Sequence, residues 1–412
     1  MNGVLHGMRV IESSAFVAVP LAGMTLAQMG ADVIRIDRPQ GGLDYSRWPV
    51  TRSGESLFWA GLNKGKRSVA IDIKSPRGRE IASEIIAAPG RDAGLFITNL
   101  RVPGWTDYES LSQARPDLCM VSLLGDRHGR PAVDYSINPS IGFPDATGPE
   151  GSSEPVAHAL PAWDCIAGNM VVSGLLAAER RRLRSGEGQA VDLTLKDVAA
   201  AMLGNLGIIA EVAVNGENRG KCGNALYGAY GQDFLCRDGR RVMVIGLTER
   251  QWRKIVEVTG TSESMAALER THGVDLSDEG VRWKMRHEIT GILGPWFAAR
   301  RLADFEDAFN AAGLTWSVFR SFAEAVEQDP DLTTENPLFS ELDQPGIGRY
   351  PVPGSPLSFS SLERQQPKAA PRLGEHTEEV LADVAGLPAN EIASLFDDGI
   401  ASDAGRIERL AS

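Results

Sequence analysis

At 412 residues the chain exceeds what one ordinary hydrophobic core supports, so two domains, or one large domain with an insertion, are expected. Its 43% apolar and 23% charged residues are ordinary for a soluble globular protein. The formal net charge of -12 argues against nucleic acid or an anionic membrane surface as partner, while leaving room for a local cation cluster that binds phosphate.

Met1 to Arg9 contains no long apolar segment of the secretory type. The most apolar stretch, Ala15 to Ile34, is interrupted by Pro20, Gln28 and Asp32, so it reads as helix plus strand and not as a membrane span. Both features point to a cytoplasmic protein. Arg9-Val10-Ile11-Glu12 is a strand-type run, Pro20 suits a helix's first turn, Gly30 fits its C-terminal cap, and Asp32 to Asp37 is a second strand. The pattern repeats with a strand over Ser68–Ile73, a helix over Pro76–Ala88 and a strand over Gly94–Thr98. A strand over Leu118–Leu124 follows. Such alternation predicts a mostly parallel sheet covered by helices on both faces.

Gly125 to Pro161 is rich in Gly, Pro, Ser and Asn, the composition of a functional loop. Helices are predicted over Asp164–Arg184 and Lys196–Val214, with a strand over Gln189–Leu195 between them. The Gly/Asn-rich segment 215–232 reads as a linker. A second alternating region, 233–329, holds a strand over Arg240–Ile245 and a helix over Glu249–Thr259. Residues 330–356 read as a Pro/Gly-rich crossing, and Leu373–Leu410 as helical.

Generic motifs exclude more than they assign. Val10 to Asp37 has the length of a dinucleotide-binding unit, but its turn, Ser13 to Val19, has no glycine to admit a pyrophosphate. Gly61 to Ser68 resembles a phosphate loop but is one residue short and precedes a strand. Its cations Lys64, Lys66 and Arg67 suit either a solvated turn or a phosphate. Four dispersed cysteines and six dispersed histidines give no metal-ligand spacing, so no metal is expected.

Several segments taken together resemble the class III CoA-transferase family, the formyl-CoA and carnitine CoA-transferase type. They are Gly7 to Glu12, Gly30 to Pro39, Asn63 to Ile71, Thr98 to Gly104, Gly186 to Gln189, Pro353 to Pro356 and Arg372 to Thr377, in the family's order. Asp164, ahead of Gly168 and a Leu-Leu-Ala-Ala helix, occupies the position of the family's catalytic aspartate. The strings Gly42 to Pro49, Leu57 to Asn63, Leu160 to Asp164 and Tyr227 to Gly231 are similar to a subgroup that shifts CoA within one unsaturated dicarboxylic acid.

The resemblance implies an α/β fold: a large Rossmann-like domain whose parallel sheet is built from N- and C-terminal segments (1–214 and 357–412), a smaller α+β domain (233–329), and an interlocked homodimer. It implies acyl-CoA as substrate, with CoA part of the substrate and no prosthetic group. Asp164 is the implied nucleophile; Arg38, Lys66, Asn99, Leu100, Arg101 and Tyr135 are the implied CoA contacts; Arg47 and Tyr230 are the implied partners of the free carboxylate. A helix N-terminus at Asp164 offers N–H groups to stabilise charge there, or Asp164 merely caps that helix. Val17, Phe58, Trp59, Trp163, Tyr227 and Tyr230 are expected to enclose the site, or else to fill the core.

Departures from the family are the Gln of the first β-α turn, here Val17, and a Lys-Val-Tyr-Glu string, here Ala132 to Ser136 with only Tyr135 matching. A glycine-tetrad lid is replaced by Tyr227 to Gly231. The alternatives are an intermolecular transferase using another dicarboxylic acid, an α-methylacyl-CoA racemase, for whose His/Asp pair only His128 and His158 are at hand, and a CoA-binding regulator without catalysis, against which the retention of Asp164 argues.

Overall fold

The computed structural model describes residues 3–411. Two compact units partition the chain: the first comprises 1–141, 159–210 and 330–412, the second 142–158 and 211–329.

The first unit contains strands β1 (Arg9–Ser13), β2 (Asp32–Asp37), β3 (Arg67–Ile71), β4 (Leu95–Thr98), β5 (Cys119–Leu124) and β6 (Gln189–Thr194). Later in the chain come β7 (Tyr230–Leu235), β8 (Arg241–Gly246) and β9 (Thr315–Val318) of the second unit, then β10 (Phe339–Gln344), β11 (Gly348–Pro353) and β12 (Ala401–Ser402) of the first. The principal sheet has the order β12-β3-β2-β1-β4-β5-β6. All of its pairings are parallel except β12 on β3. Strands β1 to β5 are buried almost throughout, as expected where helices cover both faces. One face packs Ile11, Ile34, Val69 and Phe96 against Ile81 and Ile85 of the helix Pro76–Ala87 and against Leu381 and Phe396 from near the chain's end.

The C-terminal segment is laced to β3. The Ala70 N–H donates to Thr377 Oγ1 (3.0 Å), the Gly374 N–H to Ser68 Oγ (3.0 Å), and Ala401 registers with Ile71. The α/β reading with a sheet drawn from both ends of the chain therefore holds.

Boundaries differ where sequence signals were local. Segment 142–158, expected within the first domain, clusters with the second unit: Lys221 Nζ donates to the Pro144 carbonyl (3.3 Å) and Arg286 Nη2 to Glu150 Oε1 (2.8 Å). Within the expected crossing 330–356, β10 and β11 form an antiparallel hairpin. Pro351 and Pro353 masked it, yet in a two-stranded ladder both strands are edges, where proline is tolerated. The helix expected over Lys196–Val214 stops at Asn205, because Gly207 adopts φ +78°.

The second unit forms its own core. Antiparallel β7-β8-β9 packs Phe234 and Val244 against Trp252, Ile289 and Phe297. No single described helix is long and apolar enough to cross a membrane.

Candidate active site

In the principal sheet β1 leads to β2 and β3 on one side, and the chain then crosses to β4 on the other. Loops leaving β1 and β4 diverge at that switch point and open a crevice at the carboxyl ends of the strands. A cavity of about 560 Å³ occupies it, lined by Ala15 to Ala18 after β1, Asn99 and Leu100 after β4, Leu123 to Gly125 at the end of β5, and Arg47, Phe58, Tyr135 and Asp164. That size suits a small-molecule site.

The turn after β1 is strained. Phe16 adopts φ +68°, a left-handed conformation that costs a bulky residue about 1–2 kcal/mol. Asn99 braces it on its inner side: the Ala15 N–H donates to Asn99 Oδ1 (2.9 Å), and Asn99 Nδ2 donates back to the Ala15 carbonyl (2.8 Å). Asn99 thus joins the loops of β1 and β4 and presents their backbone to the cavity.

Asp164 is the third residue of the helix Ala162–Ser185, in its first turn. Neither reading of this helix end drawn from sequence fits. Pro161 occupies the cap position, and the group that accepts from the terminal N–H groups is Asp134, from the short helix Asp134–Ile137. Asp134 Oδ2 lies 2.8 Å from the Trp163 nitrogen and 3.4 Å from that of Asp164. The Trp163 indole donates to Asn138 Oδ1 (3.1 Å), so two residues of one short segment fix the helix end. With those N–H groups engaged, the Asp164 carboxyl loses the stabilisation a helix N-terminus usually gives a carboxylate. Burial, and the Asp134 charge after it, push Asp164 up to about 6, with Arg47 pulling the other way. Asp134 had no signal in the sequence, since it acts 29 residues ahead of its acceptor-seeking partner.

Arg47 lies over the rings of Phe16 (5.5 Å to the centroid) and Phe58 (5.3 Å) and makes no ion pair among the described residues. Two aromatic faces orient its guanidinium without neutralising it. Trp48 stands beside it on the cavity wall, 76% exposed.

Lys66 does not reach the cavity. It is 3% exposed, and its Nζ donates to Glu12 Oε1, the Pro20 carbonyl and Asn63 Oδ1, all at 2.9 Å. An ammonium has three protons, and all three are used. Burial draws it down to about 8, with the Glu12 charge opposing. Arg35 continues the network, pairing with Asp37 (2.9 Å) and Asp44 (2.9 Å) and bonding Asn63 Oδ1 (3.0 Å). Gly23 is required here: a Cβ would stand 1.7 Å from Glu12 Oε2. The expected role of Lys66 as a CoA contact is thus replaced by a structural one.

Tyr230 is corrected likewise. It is fully buried in the second unit's core, its hydroxyl paired with Thr290 Oγ1 (3.1 Å) and its ring against Trp252, so it presents nothing to a substrate. Of the aromatic residues expected to enclose the site, Phe58 lines the cavity, whereas Trp59 is interior and donates to the Pro371 carbonyl. Asn99, Leu100 and Tyr135 line the cavity; Arg38 and Arg101 lie outside its lining, Arg38 partly buried and Arg101 exposed.

Residues 5–377 match the sequence profile of CoA-transferase family III. The chain belongs to this family. The 2-methylfumaryl-CoA isomerase of Chloroflexus aurantiacus is 53% identical over 407 residues, covering 98% of this chain and 100% of that protein. The succinyl-CoA:mesaconate CoA-transferase of Haloarcula hispanica is 26% identical over 408 residues, covering 93% and 97%. The crystal structure of a CAIB/BAIF family protein from Brucella suis superposes with a TM-score of 0.75 at 25% identity, covering 93% of this chain and 100% of that one. Family III membership makes a CoA thioester the substrate class.

Proposed function

We propose that this chain is a 2-methylfumaryl-CoA isomerase, moving CoA from one carboxyl group of mesaconate to the other to give 3-methylfumaryl-CoA. The observation that carries this reading is the pairing, in one cavity, of a carboxyl nucleophile, Asp164, with an un-neutralised guanidinium, Arg47. The 53% identity to the Chloroflexus isomerase, end to end, supports the same substrate.

The Asp164 carboxylate attacks the thioester carbonyl carbon, the C–S bond breaks, and CoA departs as thiolate, leaving a mixed anhydride between Asp164 and the mesaconyl group. The thiolate attacks the Asp164 carbonyl, giving an aspartyl-CoA thioester and free mesaconate. Mesaconate's other carboxylate attacks that thioester, the thiolate leaves again, and its attack on the mesaconyl carbonyl of the new anhydride frees Asp164. No proton is gained or lost. Arg47 holds whichever substrate carboxylate is not reacting. Asn99, Leu100 and Tyr135 flank the pantetheine, and Arg38 and Arg101 serve the phosphates.

The reaction belongs to carbon fixation by the 3-hydroxypropionate cycle, in the cytoplasm. The active species is a homodimer, interlocked as the family resemblance implies. Leu206, Ile209, Val212 and Val214, each at least half exposed, form a stretch of apolar side chains suited to burial by a second copy. A stable, active monomer in light scattering would remove that part of the reading.

The decisive experiment supplies excess isotopically labelled free mesaconate during isomerisation. The trapped acid sits at an effective concentration of about 10⁵ M or more relative to its acceptor, so little label should enter the CoA ester over many turnovers. Stoichiometric incorporation, or a requirement for added free acid, would point to an intermolecular transferase.

A further inference from the structure

Asp134 is 1% exposed and forms no ion pair among the described residues. One of its oxygens accepts from the Trp163 and Asp164 N–H groups; the other, Oδ1, is buried and has no hydrogen-bond partner. As a helix cap this is an expensive choice. Asn or Ser caps a helix as well as Asp, and neither leaves a buried charge half-satisfied. Folding therefore accounts for the cap but not for the charge. The charge sits one hydrogen bond from the backbone of Asp164, and it is what the capping role leaves unexplained.

We propose that Asp134 is a positioning residue of the transfer reaction: it caps the helix that carries Asp164 and sets a like charge against the nucleophile, favouring the state in which Asp164 is acylated and uncharged. This rests on the reading of Asp164 as the residue acylated. A free Asp164 carboxylate is repelled by Asp134, whereas the anhydride and the aspartyl-CoA thioester are neutral at that carbonyl and escape the repulsion. Differential destabilisation of the resting anion lowers the climb to a reactive intermediate. The same charge makes Asp164 the stronger base and the stronger nucleophile.

The other groups facing Asp164 are few. Arg47, from the loop ahead of the helix Leu57–Leu62, opposes the effect; Cys165 is its neighbour on the same helix; Tyr135 lines the cavity beside it. The turn after β1 and the ends of β4 and β5 contribute Phe16, Val17, Asn99, Leu100, Leu123 and Leu124 there, none of them ionisable.

The test uses three variants of the full chain. Asp134→Asn keeps a capping acceptor and removes the charge; Asp134→Ser removes the charge and shortens the acceptor arm by one bond; Asp134→Glu keeps the charge. The pH profile of kcat/KM should show an acid limb near 6 in the parent enzyme. In the Asn and Ser variants that limb should move to lower pH, and kcat/KM on the plateau should fall about tenfold. The Glu variant should restore the limb towards the parent value. Trapping acylated Asp164 with hydroxylamine and mapping the peptide by mass gives an independent readout, with less adduct in the two uncharged variants. An adduct in the parent enzyme, together with an unmoved limb and full activity in the uncharged variants, would reduce Asp134 to a cap. No adduct in the parent enzyme would instead overturn the covalent reading of Asp164, and this inference with it.

Discussion

Two groups of acids sit inside the first unit and are treated in opposite ways. Glu12, Asp37 and Asp44 share their interior with Arg35 and Lys66 at 2.8–2.9 Å, and Asn63 bridges the two cations. Asp134 accepts from the Asp164 backbone (3.4 Å), and Arg47, lying over the Phe16 and Phe58 rings, is the cation among the described residues that opposes the two acids. The first arrangement spends every proton of Lys66 and locks the loop after the helix Leu57–Leu62 onto β1 and β2. The second leaves charge unspent. Partnered charge holds the fold; unpartnered charge beside a cavity is available for chemistry.

The largest expected effect breaks the second group. Asp164→Ala removes the nucleophile and should lower turnover by about 10⁴-fold or more while CoA still binds. Near-normal activity in a variant shown to be folded by circular dichroism would end the aspartyl mechanism.

Breaking the first group should read out as stability. Lys66→Met leaves the buried Glu12 carboxylate only the Ser14 hydroxyl (2.7 Å) and Arg35 (3.6 Å) and should cost about 3 kcal/mol, seen as a lower urea midpoint. CoA affinity of the folded fraction should be unchanged. Weakened CoA binding at unchanged stability would return Lys66 to the nucleotide site.

Arg47→Met sharpens the contrast, since among the described residues Arg47 is the cation that acts on Asp164. Losing a charge-assisted contact to the free carboxylate should lower kcat/KM by about 10²-fold. Because Arg47 pulls Asp164 down, the acid limb of the profile should rise in this variant. A changed rate with an unmoved limb would place Arg47 away from the nucleophile.

The smallest effect is on pH-dependent stability. Asp164 titrates at about 6 folded against 3.8 for an ordinary Asp, so between those values the folded state holds the proton more tightly. Wild-type stability therefore falls as pH rises through that window, and the penalty is full above 6. Asp164→Asn should be more stable than wild type above pH 6 by about 1–3 kcal/mol, with the difference vanishing below pH 4. Calorimetry at pH 4 and pH 7.5 measures it.

Much of the first unit was legible, because buried parallel strands write continuous apolar runs. The strand predicted over Asp32–Asp37 matches β2, and the helix over Pro76–Ala88 ends one residue early. The site was legible in part. Asp164 stood out only through family resemblance, since one Asp at a helix start has no distinguishing local pattern. Lys66 was assigned to CoA through the family-like loop Asn63 to Ile71, and nothing local in that loop reveals its partner Glu12, 54 residues away. Tyr230 was misread because a subgroup-like string does not reveal which way a β-strand residue points. Phe16 carried no clue at all: left-handed backbone is announced by glycine, and this turn has none.

The lacing of the C-terminal segment to β3 has a consequence for biosynthesis. Ala70 and Thr377 are 307 residues apart, and β12 reaches the same strand later still. On the ribosome, β3 emerges early and keeps an open edge while the whole second unit is translated. That unit has all its sequence and can collapse first; the principal sheet is sealed last. Open strand edges invite intermolecular pairing, so this interval is when the nascent chain most needs a chaperone. A chain stopped before Gly374 would carry most of the sheet without its seam, a product suited to aggregation instead of turnover.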